Sequence, residues 1–242
     1  MATTHNVQRV EAEHTSFGRT TVYEGELLRH SAYTRVVHWL VALTFLLALL
    51  SGFALFSPWL YAWIAPIFGS GARARLLHPW FGIAFAIAVL FQVRGWAYQM
   101  RWQPKDREWV KHAKDYATKT DEPEPEYVGK FNGGQKIWFW VMAWSAVIFL
   151  VTGVFLWFPE ILSRTAMWIC YFFHDLMGLI MLGGFFIHLY EGTSGIPGTL
   201  RGMLHGTVTR AWAWTHHPAW YREVTGRDPI RDREQDGGQL SR

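Results

Sequence analysis

Four long apolar blocks, at roughly residues 36–56, 77–93, 137–158 and 166–190, constrain what this chain can fold into more than any other feature of it. Each carries almost no charge. A helix of about 20 residues, at about 1.5 Å per residue, is enough to cross a hydrocarbon core about 30 Å thick. Inside lipid every backbone N–H and C=O must be satisfied within the segment itself, so runs of this length are expected as helices. A mean hydropathy near zero does not by itself suggest a membrane protein, because it averages these blocks with polar tails. A soluble chain would have to bury four such runs in one small domain. The expected fold is therefore an all-α membrane protein, a four-transmembrane-helix bundle.

The basic residues are distributed unevenly. Four Lys or Arg precede the first block, nine lie between the second and third, and seven follow the fourth, against three in the two remaining loops (Arg73, Arg75 and Arg164). Lys and Arg concentrate on the cytoplasmic side, so both termini and the middle loop are expected there. The same asymmetry accounts for the basic character and for attraction to anionic lipid, and gives no reason to invoke nucleic acid. Tryptophans such as Trp39, Trp59, Trp80, Trp157 and Trp168 fall near block ends, as an aromatic belt at the membrane surfaces requires. Residues 1–30 are polar and contain no apolar stretch, so the first span is expected to serve as the insertion signal. Residues 31–192 then form the membrane domain, 193–225 an interfacial segment rich in Trp, and 226–242 a disordered tail. The loop at 103–128, charged and containing Pro123 and Pro125, reads as solvated.

Cys170 is the only cysteine. That excludes an intrachain disulfide, an iron–sulfur cluster held by this chain alone, and covalent C-x-x-C-H haem attachment.

Four of the eleven histidines fall inside the apolar blocks. His174 and His188 are fourteen residues apart in the last one, about 21 Å and about four turns along a helix, so both face nearly the same way. His38 lies just inside the cytoplasmic start of the first span. His78 opens the second span on the opposite side, with Pro79 suited to a first helical turn. Depth alone pairs His38 with His188 and His78 with His174. Ionisable side chains at such depth are costly and mark function. Facing helices of a bundle can supply two axial nitrogens to one iron. The expectation is two non-covalent b haems, one per leaflet, with these four histidines as axial ligands. A single membrane histidine is just as readily explained by a hydrogen bond to a neighbouring helix. Gly52, Gly82, Gly153 and Gly178 lie within the spans, where they suit either the approach of a flat macrocycle or helix–helix contact. His5, His14, His30, His112, His205, His216 and His217 read as solvated or interfacial.

Several motifs together resemble the gamma subunit of respiratory, membrane-bound formate dehydrogenase, a dihaem cytochrome b. They are Arg35-Val36-Val37-His38-Trp39, Leu77-His78-Pro79-Trp80-Phe81-Gly82, Gly129-Lys130-Phe131-Asn132-Gly133-Gly134-Gln135-Lys136, Val151-Thr152-Gly153-Val154, Ile187-His188-Leu189-Tyr190, and His216-His217-Pro218-Ala219-Trp220-Tyr221-Arg222-Glu223. The resemblance runs over roughly residues 28–225. It implies the same histidine pairing, and a quinone site at Asn132, Gly134 and Gln135 beside the cytoplasmic haem of His188. Amide groups there offer donors and acceptors to quinone carbonyls, and Gly133 and Gly134 allow close approach to the backbone. Read without the resemblance, Asn-Gly-Gly is a turn and helix-start signal. Asp175, directly after His174, departs from the small apolar residue expected at that place. Either it accepts a hydrogen bond near the haem or it faces the extracytoplasmic surface.

The resemblance further implies partners. A molybdenum- or tungsten-containing catalytic alpha subunit would oxidise formate outside the bacterial cytoplasmic (inner) membrane. An iron–sulfur beta subunit would pass electrons through both haems to quinone, building proton-motive force. This chain shows no formate-binding residues. Glu191, with Tyr190, is a candidate for proton delivery to quinone or a solvated helix end. Membrane subunits of hydrogenase or thiosulfate-type reductases stay open as rivals, with a ferric or ascorbate-type reductase and a haem-free anchor or transporter further off. The resemblance also leaves room for a higher oligomer of the complex.

Overall fold

The computed structural model describes residues 9–15, 18–118 and 122–240. His5 and the ends of both tails lie outside the described residues. The chain divides into two compact units. One is formed by Val36–Ala97 with Trp138–Phe186, the other by the described parts of Met1–Arg35, Tyr98–Ile137 and Ile187–Arg242.

The first unit is a bundle drawn from four long helices: α1 (Ala32–Phe56), α3 (Gly71–Trp96), α6 (Gly133–Trp157) and α7 (Arg164–Tyr190), with the short α2 (Pro58–Ile64) between the first two. All four are long and apolar enough to cross a membrane. Only 22, 22, 33 and 6% of their most apolar windows is buried within the chain. Leu43, Leu90, Trp144 and Phe172 instead point outward, an arrangement that is stable only when lipid covers it. The small interior is close-packed: Phe45 meets Phe85 and Phe185 at ring-centroid distances of 5.8 and 5.6 Å, and Met181 is fully buried.

Every helix outruns its apolar block, because lipid contact ends where polarity begins while the hydrogen-bond ladder continues to a cap. The clearest case is α3. Ser70 caps it by accepting from the Arg73 N–H at 3.2 Å, so His78 and Pro79 lie well inside the helix rather than in its first turn. The expectation that Pro79 starts the span is corrected accordingly. As an interior proline it leaves one carbonyl of the preceding turn without its helical partner.

The second unit is polar outside and aromatic inside. Strands β1 (Arg9–Thr15) and β2 (Gly18–Tyr23) pair antiparallel. Strand β3 (Glu26–Leu28) pairs with β4 (Thr207–Thr209), placing Leu27 opposite Val208. Helices α4 (Pro104–Lys111) and α5 (Ala113–Thr118) come from the middle loop. Helices α8 (Thr199–Leu204), α9 (Arg210–His216), α10 (Pro218–Thr225) and α11 (Pro229–Leu240) come from the C-terminal segment. Trp212, Trp214, Trp220 and Tyr221 form a buried core with Val208 and Ala213. These aromatics face one another. The segment expected to be disordered carries α11, tied back by the Tyr221 hydroxyl donating to Asp232. The middle loop is not simply solvated either: Asp106, Trp109, Glu124 and Val128 are buried.

One contact set joins the three segments of this unit. The Arg29 guanidinium donates to the Lys130 carbonyl at 2.8 Å and to His217 Nε2 at 3.0 Å. It lies over the rings of Trp212 and Trp220, 4.6 and 5.0 Å from their centroids. His217 Nδ1 donates to the Gly129 carbonyl at 2.7 Å, which fixes the neutral tautomer whose Nε2 can accept from Arg29. Burial first, and then the neighbouring guanidinium, hold the His217 imidazole well below its ordinary range. Burial lowers Arg29 to about 9, still a cation near neutrality. His30, His216 and His217 are thus buried rather than solvated. Their positions follow from long-range pairing that local polarity does not encode.

Candidate functional site

In the helix bundle, His78 from α3 and His174 from α7 come together with ring centroids 6.1 Å apart and planes 70° from parallel. Each ring is held by a hydroxyl from a different helix. Ser51 Oγ of α1 lies 3.0 Å from His78 Nδ1, and Thr152 Oγ1 of α6 lies 2.8 Å from His174 Nδ1. Both hydroxyls spend their single hydrogen on a carbonyl one turn back, Ser51 on Leu47 at 2.7 Å and Thr152 on Ile148 at 2.6 Å. They can therefore only accept from the imidazoles. Both histidines are then Nδ1–H tautomers, with the lone pair left on Nε2. That is how a metal-ligating histidine is prepared: its second nitrogen donates to a fixed partner, which sets ring orientation and raises basicity.

The surroundings of the two rings repeat. Gly52 follows Ser51 and Gly153 follows Thr152; a Cβ on either would stand 3.1 Å from His78 Cε1 or 3.5 Å from His174 Cε1. Gly82 and Gly178 each lie one turn beyond a histidine, on the same face. A Cβ on either would meet nothing within 4 Å. Space is thus kept beside both imidazoles along their own helices. Metal–imidazole bonds of about 2 Å on each side of one ion set ring centroids roughly 6 Å apart, which agrees with the separation found. Among the described residues no cluster of three or more His, Cys, Asp or Glu side chains gathers. A donor set of two suits an iron whose other four ligands come from a macrocycle. The pair fits a haem.

His38, half-buried in the second turn of α1, and His188, exposed in the last turn of α7, belong to different units. Asp175 is exposed on α7 beside His174.

The Asn132–Gln135 motif forms a reciprocal cap on α6. Asn132 N–H donates to Gln135 Oε1 at 3.2 Å, and Gln135 N–H donates to Asn132 Oδ1 at 2.9 Å. This satisfies two otherwise orphaned donors and leaves the Gln135 Nε2 amide outside the cap. The glycines between them are demanded by Trp109: a Cβ on Gly133 would lie 2.9 Å from Trp109 Cε3, and one on Gly134 2.7 Å from Cη2. Lys136, next along the helix, forms a buried ion pair with Asp106 of α4 at 2.8 Å.

A carboxyl stands behind this cap. Glu124 Oε2 accepts from Trp109 Nε1 at 2.8 Å, and its Oε1 accepts from Asn132 Nδ2 at 3.4 Å. Burial pushes the Glu124 carboxyl up to about 7, opposed by the bonds from Trp109 and Asn132 and reinforced by the neighbouring Glu191. Burial, then Glu191 and Glu124, push the phenol of Tyr116 on α5 upward, opposed by the Asn132 side chain.

Sequence reasoning singled out His78, His174, Asn132 and Gln135 and missed Ser51, Thr152, Trp109, Glu124 and the Arg29–His217 contact. The Ser-Gly and Thr-Gly steps inside spans were the available signal for the first two. Nothing local marked the others.

The fold and this site define a class: a multi-pass membrane helical bundle with a facing pair of histidines, each held at Nδ1 by a hydroxyl. The chain belongs to the prokaryotic cytochrome b561 family, whose family model matches residues 29–206. It is 33% identical over 212 residues to the cytochrome b556(Fdn) subunit of the nitrate-inducible formate dehydrogenase of Escherichia coli K12, covering 86% of this chain and 96% of that one. It is 31% identical to the formate dehydrogenase cytochrome b556 subunit of Haemophilus influenzae, over 81% of this chain and 83% of the relative. It is likewise 31% identical to the cytochrome b556(fdo) subunit of an Escherichia coli formate dehydrogenase, over 82% and 93%.

Proposed function

We propose that this chain is the membrane cytochrome b subunit of a formate:quinone oxidoreductase in a bacterial inner membrane. In this reading it receives electrons from an iron–sulfur partner and delivers them to quinone. The observation that carries it is the His78–His174 pair, with both Nδ1 atoms tied to hydroxyls and both Nε2 lone pairs available. The names of the relatives support formate as the electron source. The oxidising chemistry then lies on a molybdenum- or tungsten-containing partner, since nothing in this chain reads as formate-binding.

When bound, haem supplies one-electron relay chemistry that no side chain here can provide. His78 and His174 hold it on the extracytoplasmic side. Ser51 and Thr152 keep the imidazoles in the ligating tautomer, and Gly82 and Gly178 keep space beside them. The second haem rests on the matched depth of His38 and His188 and on the family resemblance. Gln135, Asn132 and Gly134 border the quinone on the cytoplasmic side, with the Gln135 amide as donor to a carbonyl. Protons taken there from the cytoplasm, against electrons arriving from outside, contribute to proton-motive force.

The test is a pyridine haemochrome assay of haem per polypeptide on the purified chain and on His174→Ala. Two haems per chain, falling to one in the variant, are expected. No haem in well-folded protein from a haem-replete host would overturn the reading.

A further inference from the structure

We propose that the buried Glu124 carboxyl holds the proton delivered to a quinone bound beside Asn132 and Gln135. The inference rests on the quinone reading above and extends it to the acid that completes the reaction.

Reduction of a quinone needs two electrons and two protons. In this chain the electrons come from formate oxidation on the partner, through the haems. The protons must cross from cytoplasmic water into a site walled by buried side chains. Glu124 is placed for that transfer. Its carboxyl is one hydrogen bond from Asn132, the first residue of the cap. Trp109 holds its other oxygen at 2.8 Å, so the group is fixed rather than free to swing. Its backbone N–H donates to the Thr215 carbonyl at 2.8 Å, anchoring the loop to the C-terminal segment of the same unit. The charged and titratable groups acting on it are Glu191 from the widened turn Glu191–Gly195 after α7, Tyr116 from α5, and Tyr127 from its own loop. None is a cation. Arg29 acts on Tyr116, and its guanidinium is committed to Lys130 and His217. Lys136 is committed to Asp106.

A second carboxylate with no compensating cation raises the cost of ionising a buried acid. Glu124 therefore carries its proton near neutrality, as its rise to about 7 reflects, and gives it up most readily where negative charge develops next to it. In the step, the Glu124 O–H bond breaks, an O–H bond forms on the reduced quinone oxygen directly or through one water, and the carboxylate left behind is reprotonated from the cytoplasm. A donor whose affinity matches the working pH is the most efficient general acid.

The experiment uses the complete complex in membranes, reduced with formate and mixed with a short-chain naphthoquinone. Haem reoxidation is followed against pH for wild type, Glu124→Gln and Gln135→Ala. Glu124→Gln keeps an acceptor for Trp109 and loses the proton. Its reoxidation rate at pH 7 should fall about 100-fold, the lower end of what a positioned acid contributes. It should also lose the decline expected of wild type as pH rises through about 7, with haem content and naphthoquinone KM unchanged. A lowered rate with the wild-type pH profile would make Glu124 a support for Trp109 and overturn the proposal. An unchanged naphthoquinone KM in Gln135→Ala would instead overturn the quinone reading, and this inference with it. Should Glu124→Gln fail to assemble, the wild-type reduced-minus-oxidised infrared spectrum decides. Loss of a protonated-carboxyl band on quinone reduction supports the proposal, and its absence overturns it.

Discussion

Single hydroxyl groups decide what the membrane histidines can do. Without Thr152, the His174 imidazole has no fixed acceptor for its Nδ1 proton, and either tautomer and several ring orientations become accessible. Thr152→Ala should weaken haem binding at that site about 10- to 100-fold, the usual effect of losing such a partner, and Thr152→Ser should restore it. Haem retention on dilution measures this, and equal retention in wild type and Thr152→Ala would show that the hydroxyl does not orient the ring. Ser51 and Thr152 were marked in the sequence only by the glycine after each, because Ser and Thr inside membrane helices ordinarily bond their own carbonyls. These two do so as well. Only the arrival of a histidine from another helix turns that bond into a tautomer constraint.

At the scale of elements, the start of α6 is the best-specified junction in the polar unit. The helix start was readable from Asn132-Gly133-Gly134, but the reciprocal bonds with Gln135 and what the glycines accommodate were not. They make room for Trp109, a residue more than twenty positions earlier, and the same packing buries Lys136 against Asp106, both side chains 4% exposed. Removing one member of a buried ion pair leaves an uncompensated charge and costs about 3–5 kcal/mol. Lys136→Met should destabilise the detergent-solubilised protein by that order, read as a lowered melting midpoint. An unchanged midpoint would mean that water reaches Asp106. The Pro79 correction belongs to this scale as well: hydropathy locates where a helix meets lipid, whereas the cap at Ser70 locates where it begins.

For the whole molecule, the distribution of Lys and Arg predicts both termini on the cytoplasmic side. Because Cys170 is the only cysteine, that prediction is simple to check. In a Cys170→Ser background, Glu160→Cys and Asp228→Cys each place one thiol at an exposed position. A membrane-impermeant maleimide added to spheroplasts should label the first and not the second, and the opposite pattern would reverse the topology. Orientation matters for function, because only electrons moving inward and protons taken from inside would contribute to proton-motive force.

The sequence by itself determined the four membrane helices, the pairing of His78 with His174 and a helix start at Asn132-Gly133-Gly134. Helix formation in lipid depends on local composition, and depth follows from counting residues along a helix. Tertiary structure alone decided that Arg29 and His217 lie buried among Trp212 and Trp220, that Trp109 fills the space over Gly133 and Gly134, and that Glu124 stands behind Asn132. Each of these joins segments far apart in the chain, and the energy of burying a charge or a ring depends on which distant partner meets it.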